Sequence, residues 1–142
     1  MPEPYWRRME FEPAVMTIVR GALKTKLWQG SETEKLKKLR VLNRALSAHY
    51  GVPACEVEVA LTPIGPHYRP GANQITLDKV SLVSWAHEFG HHLLHCRRES
   101  QQEEFPRAFS LSLFFKAAPR MFEAARSSGR LLYTNEGGQH AQ

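Results

Sequence analysis

The sequence has few of the features that mark secreted or membrane proteins. Only two of its 142 residues are cysteines, and their positions lack the paired spacing of a zinc ribbon, which argues against a disulfide scaffold or a zinc finger. No stretch approaches the roughly 20 apolar residues that a transmembrane helix needs. The charged start of the chain is not followed by the apolar run of a secretory signal. We therefore expect a cytoplasmic protein with reduced thiols and no membrane contact.

The length and charge of the chain indicate one domain with a basic surface. We expect residues 1–142 to form a single domain, with an irregular N-terminus over residues 1–11 and a loosely held tail over residues 127–142. The net charge is +5, and a basic surface attracts nucleic acid or an acidic partner. Because about half of the basic residues are paired with acids on the same predicted helices, we expect at most weak, non-specific nucleic-acid binding.

Periodicity and capping signals predict an α+β fold that is mostly helical. Strict alternation predicts a strand at Glu56–Leu61, and a second short strand is expected at residues 73–77, with Pro- and Gly-rich residues 62–72 between them forming a loop. We expect this short sheet of two or three strands to lie beside the third helix. The four predicted helices run from Pro13 towards Gly30, from Ser31 to Tyr50, from Asp78 or Ser81 to about Cys96, and from about Phe105 to Arg126 with a division at Pro119.

The segment His87-Glu88-Phe89-Gly90-His91 has the spacing of a zinc-binding helix. Residues four apart lie on one helical face, so a zinc ion at about 2.0–2.1 Å from each imidazole fits between His87 and His91. Glu88 lies about 100° further round the helix, where it can flank the metal without binding it. A carboxylate in that position can accept a proton from metal-bound water. We therefore predict Zn²⁺ as cofactor, His87 and His91 as ligands and Glu88 as general base.

The third protein ligand of the predicted zinc is less well specified by the sequence. A catalytic zinc usually has three protein ligands and one open position. Glu103 and Glu104 follow a short polar connection and begin the next helix, which can fold back across the motif. We prefer Glu104 because it adjoins the helical part, and Glu103 is the main alternative. Less favoured candidates are His95, Glu99 and, in the tail, Glu136 and His140.

Three further residues near the motif have a functional and a structural interpretation. His67 and Tyr68 lie in the predicted loop, where an imidazole or phenol can approach the cleft and stabilise an oxyanion. An exposed loop pair is the preferred interpretation. Cys96 follows the motif, and we expect a buried inert thiol there rather than a metal ligand.

Residues 73–119 resemble the ImmA/IrrE-type metallopeptidases, which are minimal zincins. The resemblance covers about a third of the chain and has three parts: the strand Ile75-Thr76-Leu77, the helix His87-Glu88-Phe89-Gly90-His91-His92-Leu93-Leu94-His95, and the segment from Glu104 to Phe114 with Pro119 beyond it. The third part departs from the family pattern, because Glu-Ala-Asn is absent and Pro106 intrudes.

This resemblance implies a zincin-like domain and a peptidase activity. We therefore expect a zinc metalloendopeptidase that hydrolyses a peptide bond in a protein partner, for example a DNA-binding transcriptional regulator. The alternative is a non-catalytic zinc-binding module that contacts a regulator or nucleic acid, and a hydrolase of non-peptide amides also stays open. The intact Glu88 favours catalysis, since a metal-binding scaffold has no need of a general base.

Overall fold

Helices form most of the computed structural model, which describes residues 3–134. The α+β class and the short sheet agree with the sequence prediction. None of the helices in this described range is long and apolar enough to cross a membrane. The elements are α1 (Pro13–Lys24), α2 (Glu32–Tyr50), β1 (Glu56–Val59), β2 (His67–Arg69), β3 (Gln74–Leu77), α3 (Leu82–Cys96), α4 (Glu104–Ala117) and α5 (Pro119–Ser127), with 3₁₀ turns at Tyr5–Arg7 and Pro70–Ala72.

The sheet has three strands in the order β1-β3-β2. β3 lies in the centre, parallel to β1 and antiparallel to β2. β2 lies within residues 62–72, so the prediction of an uninterrupted loop there was wrong for His67–Arg69. Pro66 and Pro70 bracket this strand, and three residues are too few to show an alternating pattern. β2 is a strand because its backbone pairs with β3, and its own sequence does not indicate one.

Local capping signals set the starts of the helices much as predicted. Ser31 and Glu34 form a capping box, in which the Glu34 amide donates to Ser31 Oγ at 3.1 Å and the Ser31 amide donates to Glu34 Oε1 at 2.8 Å. Ser81, not Asp78, caps α3, accepting from the Ser84 amide at 3.2 Å. Pro119 is at the start of α5 and divides it from α4, as expected.

Both ends of the described chain pack against α4 and α5. In the predicted irregular N-terminus, Trp6 is buried against the Phe122 ring, with centroids 5.6 Å apart. Ser112 Oγ donates to the Tyr5 carbonyl at 2.8 Å and fixes the turn. At the other end, Tyr133 packs onto the same cluster. The first part of the predicted tail is therefore packed, as far as the buried Thr134. Residues 135–142 lie outside the described residues.

Helix α4 crosses α3 in close contact at Gly90. A Cβ added at Gly90 would lie 2.9 Å from Pro106 Cα and 3.2 Å from Pro106 Cβ, so no larger residue fits without displacing α4. Ala86, Phe89 and Leu93 are buried on the inner face of α3. The Gly90–Pro106 contact therefore brings the start of α4 next to the outer face of α3, which carries the motif histidines.

Candidate metal centre

Two histidines of α3 and one glutamate at the start of α4 form a compact group. Glu103 Oε1 lies 3.0 Å from His87 Nε2, and Glu103 Oε2 lies 3.3 Å from His91 Nε2. One ligand atom from each residue lies within 4.8 Å of the other two, which fits a shared metal ion. Ligand atoms about 2 Å from a tetrahedral zinc would lie roughly 3.3 Å apart. The arrangement therefore needs little movement to hold an ion.

The structure brings Glu103, not the preferred Glu104, to the histidines. Glu104 instead pairs with Arg8 at 3.2 Å, and its side chain is 77% exposed. Consecutive residues at a helix start point about 100° apart, so only one of these two acids can face α3. The structure therefore favours the alternative, Glu103, over the preferred Glu104. The close approach of α4 at Gly90 decides which of the two acids faces the motif.

Gln101 orients His91, a role that sequence reasoning missed. Its Oε1 accepts from His91 Nδ1 at 2.6 Å, and its Nε2 donates to the His91 carbonyl at 3.0 Å. An amide oxygen only accepts, so Nδ1 carries the proton and Nε2 is the nitrogen that faces Glu103. This is the arrangement of a metal-binding histidine held by a second partner. No sequence signal distinguishes Gln101 from Gln102, whose Oε1 accepts from the Phe105 amide at 2.8 Å.

Glu88 lies beside the group without belonging to it. It is only 7% exposed. Burial raises the pKa of its carboxyl to about 7, while the neighbouring His91 charge acts in the opposite direction. A carboxyl with this pKa can both take and give a proton near neutral pH. Helix geometry predicts Glu88 beside His87 and His91, and the structure has it lining the same cavity as both.

The other histidines of the motif helix lie away from the group. His92 is fully buried: its Nε2 donates to the Pro53 carbonyl at 2.7 Å, and Tyr68 Oη donates to its Nδ1, also at 2.7 Å. Both ring nitrogens are thus occupied. His95 and Glu99 are exposed and outside the group. The last candidates, Glu136 and His140, lie outside the described residues.

Both cysteines are free, and neither belongs to the candidate metal group. Cys96 is half-buried and its sulfur lies 3.6 Å from His92 Nε2. Burial raises the pKa of this thiol, which disfavours the thiolate that binds metals.

Strand β2 forms the wall of the cleft opposite α4. His67 and Tyr68 are half-buried, so their interpretation as an exposed loop pair was wrong. His67 Nδ1 lies 2.8 Å from the Gly65 carbonyl, which can only accept, so this nitrogen carries the proton. The other ring nitrogen, Nε2, is buried and has no hydrogen-bond partner among the described residues. His67 lines a cavity of about 440 Å³ together with His87, Glu88, His91 and Glu103.

Comparison with known proteins returned no match. No protein-family model, no curated protein and no solved structure matches this chain.

Proposed function

We propose that the protein is a zinc-dependent metallopeptidase that hydrolyses a peptide bond in a protein partner, for example a DNA-binding transcriptional regulator. One observation carries the proposal: His87, His91 and Glu103 form a compact group, and the buried Glu88 lies directly beside it. Two imidazoles and a carboxylate are a donor set of known catalytic zinc sites, which leave one position open for water or substrate. The motif resemblance to ImmA/IrrE-type metallopeptidases points to the same activity.

The residues present fit a zinc ion on chemical grounds. Imidazole nitrogens favour zinc and related transition metals over magnesium or calcium, which prefer oxygen ligands. His91 is already held in the tautomer that directs Nε2 at the group, because Gln101 accepts from its Nδ1. Burial lowers the pKa of His87, which favours the neutral imidazole that a metal needs. A zinc ion in such a site would lower the pKa of bound water to about 7 and polarise the substrate carbonyl.

Glu88 carries the proton transfers in this proposal. Its carboxylate accepts a proton from the attacking water and then gives that proton to the leaving amine. Glu88 lines the cavity beside the group, and a zinc cation there would favour the carboxylate form that takes the proton. The imidazole of His67 lines the same cavity from β2, and its Nε2 is buried without a hydrogen-bond partner among the described residues.

The test compares three single variants on the motif helix. We expect Glu88→Gln to fold and bind zinc like the parent while hydrolysis falls by about 10²–10⁴-fold, because it keeps the shape and removes the base. His87→Ala should lose zinc and activity together. His95→Ala is the matched control, since His95 is exposed and outside the group. Zinc content is measured by elemental analysis, and cleavage is followed on a DNA-binding regulator encoded beside this protein.

Two outcomes would contradict the proposal. A parent protein that contains no zinc and takes up none has no metal centre. If the parent and Glu88→Gln act equally on the regulator in cells while His87→Ala does not, the metal is structural and the protein is a binding module.

A further inference from the structure

A large groove begins at the candidate metal centre and continues along α4. Its volume is about 830 Å³, and His87 and Glu88 form part of its lining. Most of the wall is apolar, and three large apolar side chains on it are exposed: Trp28 by 46%, Met121 by 38% and Leu132 by 60%. Because a groove of this kind can hold apolar side chains, it is a natural continuation of the cleft for a bound chain.

Arg107 lies in this groove, one helical turn after Glu103. Its guanidinium stacks on the Tyr133 ring, 4.1 Å from the centroid, and Nη2 donates to Tyr133 Oη at 3.4 Å. Its Nε is buried and has no hydrogen-bond partner among the described residues. Its side chain also interacts with Tyr5, and the acid that acts on its charge is Glu103, whose oxygens face the two histidines. No carboxylate of the described residues forms an ion pair with this guanidinium, so an anionic ligand can make the charge-assisted hydrogen bonds that it lacks.

The other charged residues that line the groove are also mostly positive. Arg107 is joined there by Lys79 and Arg130, both exposed, and Glu88 is the single acid among the described residues that line the groove. Since Glu88 serves the metal centre, the rest of the groove presents positive charge next to apolar surface. This combination is complementary to a ligand that carries both apolar side chains and a carboxylate.

We propose that the groove binds the part of the substrate next to the scissile bond, with apolar side chains along α4 and a substrate carboxylate against Arg107. The inference rests on the proposed function and adds the substrate class, an acidic and apolar peptide. A guanidinium holds a carboxylate through two parallel hydrogen bonds, which gives geometric selectivity. The carboxylate comes from an aspartate or glutamate side chain or from a free C-terminus, and the experiment separates these two sources.

The experiment measures peptide binding without turnover. The full-length, zinc-loaded Glu88→Gln protein is titrated with three fluorescein-labelled leucine-rich hexapeptides, and dissociation constants come from fluorescence anisotropy. The first peptide has an internal glutamate and an amidated C-terminus, the second has glutamine there and a free C-terminus, and the third has glutamine and an amidated C-terminus. We expect at least one carboxylate peptide to bind about tenfold or more tightly than the neutral one, the usual size of a charged hydrogen bond.

Substitutions in the groove test whether Arg107 is responsible for the preference for carboxylate peptides. Adding Arg107→Gln should abolish the preference for the carboxylate peptide, while Arg44→Gln on α2, outside the groove lining, should preserve it. Because Arg107→Gln removes a partly buried side chain, its folding is checked by thermal unfolding. Leu132→Asp at the exposed rim is the second variant, which leaves the core untouched and should weaken the carboxylate peptides by repulsion.

The outcomes separate the inference from the proposed function. Equal affinity for all three peptides, or a preference that survives both groove substitutions, would overturn the inference even if zinc uptake and hydrolysis are found. A carboxylate preference that needs Arg107 supports the groove even if the parent protein hydrolyses nothing. A protein that self-associates through the groove, with Leu132→Asp restoring the monomer and no peptide bound, would also overturn it.

Discussion

The two walls of the cleft differ in what they offer and in how they are held. The α4 wall provides charged groups, with the Glu103 carboxylate facing the histidines and Arg107 in the groove beyond. A close contact between Gly90 and Pro106 fixes this wall. The β2 wall provides an imidazole with an unpartnered nitrogen, and the Tyr68–His92 hydrogen bond anchors it. The two walls thus differ in chemistry: α4 places a carboxylate against the histidines of α3, while β2 places an imidazole in the same cavity.

The sharpest way to break this comparison is to remove, one at a time, the two acids at the start of α4. Glu103→Ala should weaken zinc binding by more than about 100-fold, because a direct ligand contributes more than the 10–100-fold typical of an orienting partner. Glu104→Ala is the matched control and should leave zinc affinity nearly unchanged, since that side chain is exposed and pairs with Arg8. Competition with a chelator measures both. A greater loss for Glu104→Ala would mean that α4 is rotated relative to the structure.

A second prediction tests whether the helix contact positions the α4 wall. Gly90→Ala should destabilise the protein, because overpacking against the Pro106 backbone costs about 1–3 kcal/mol and exceeds the gain of up to about 1 kcal/mol in helix propensity. Zinc affinity should fall as well, since α4 carries Glu103. Gly21→Ala in α1 is the control: nothing lies within 4 Å of the added Cβ, so it should stabilise. Denaturant unfolding gives both changes, and equal effects at the two glycines would contradict the tight contact.

The smallest effect on zinc affinity is expected on the β2 wall. Tyr68→Phe removes the donor to the buried His92 Nδ1 and should lower the free energy of unfolding by about 1–3 kcal/mol, the cost of an unsatisfied buried group. Zinc affinity should stay the same, because no β2 residue belongs to the metal group of the described chain. Tyr50→Phe, whose hydroxyl has no hydrogen-bond partner in the described residues, serves as the control. A large loss of zinc in Tyr68→Phe would show that β2 also holds the metal.

Some of this protein follows from local sequence alone. Helix starts at Ser31, Ser81 and Pro119 are local events, since a capping side chain or a proline acts within one turn. The positions of His87 and His91 on one face of α3 follow from helix geometry in the same way, and so does the place of Glu88 beside them.

The tertiary structure decided what depends on contacts between distant segments. Glu103 and Glu104 are adjacent acids, and no local signal separates them; the approach of α4 to Gly90 turns one to the histidines and the other to Arg8. β2 is a strand because β3 pairs with it, although its own three residues show no pattern. Hydrogen bonds to Gln101 and Tyr68 gave His91 and His92 their opposite roles, because helix periodicity tells which face a residue is on but not which partner meets it there.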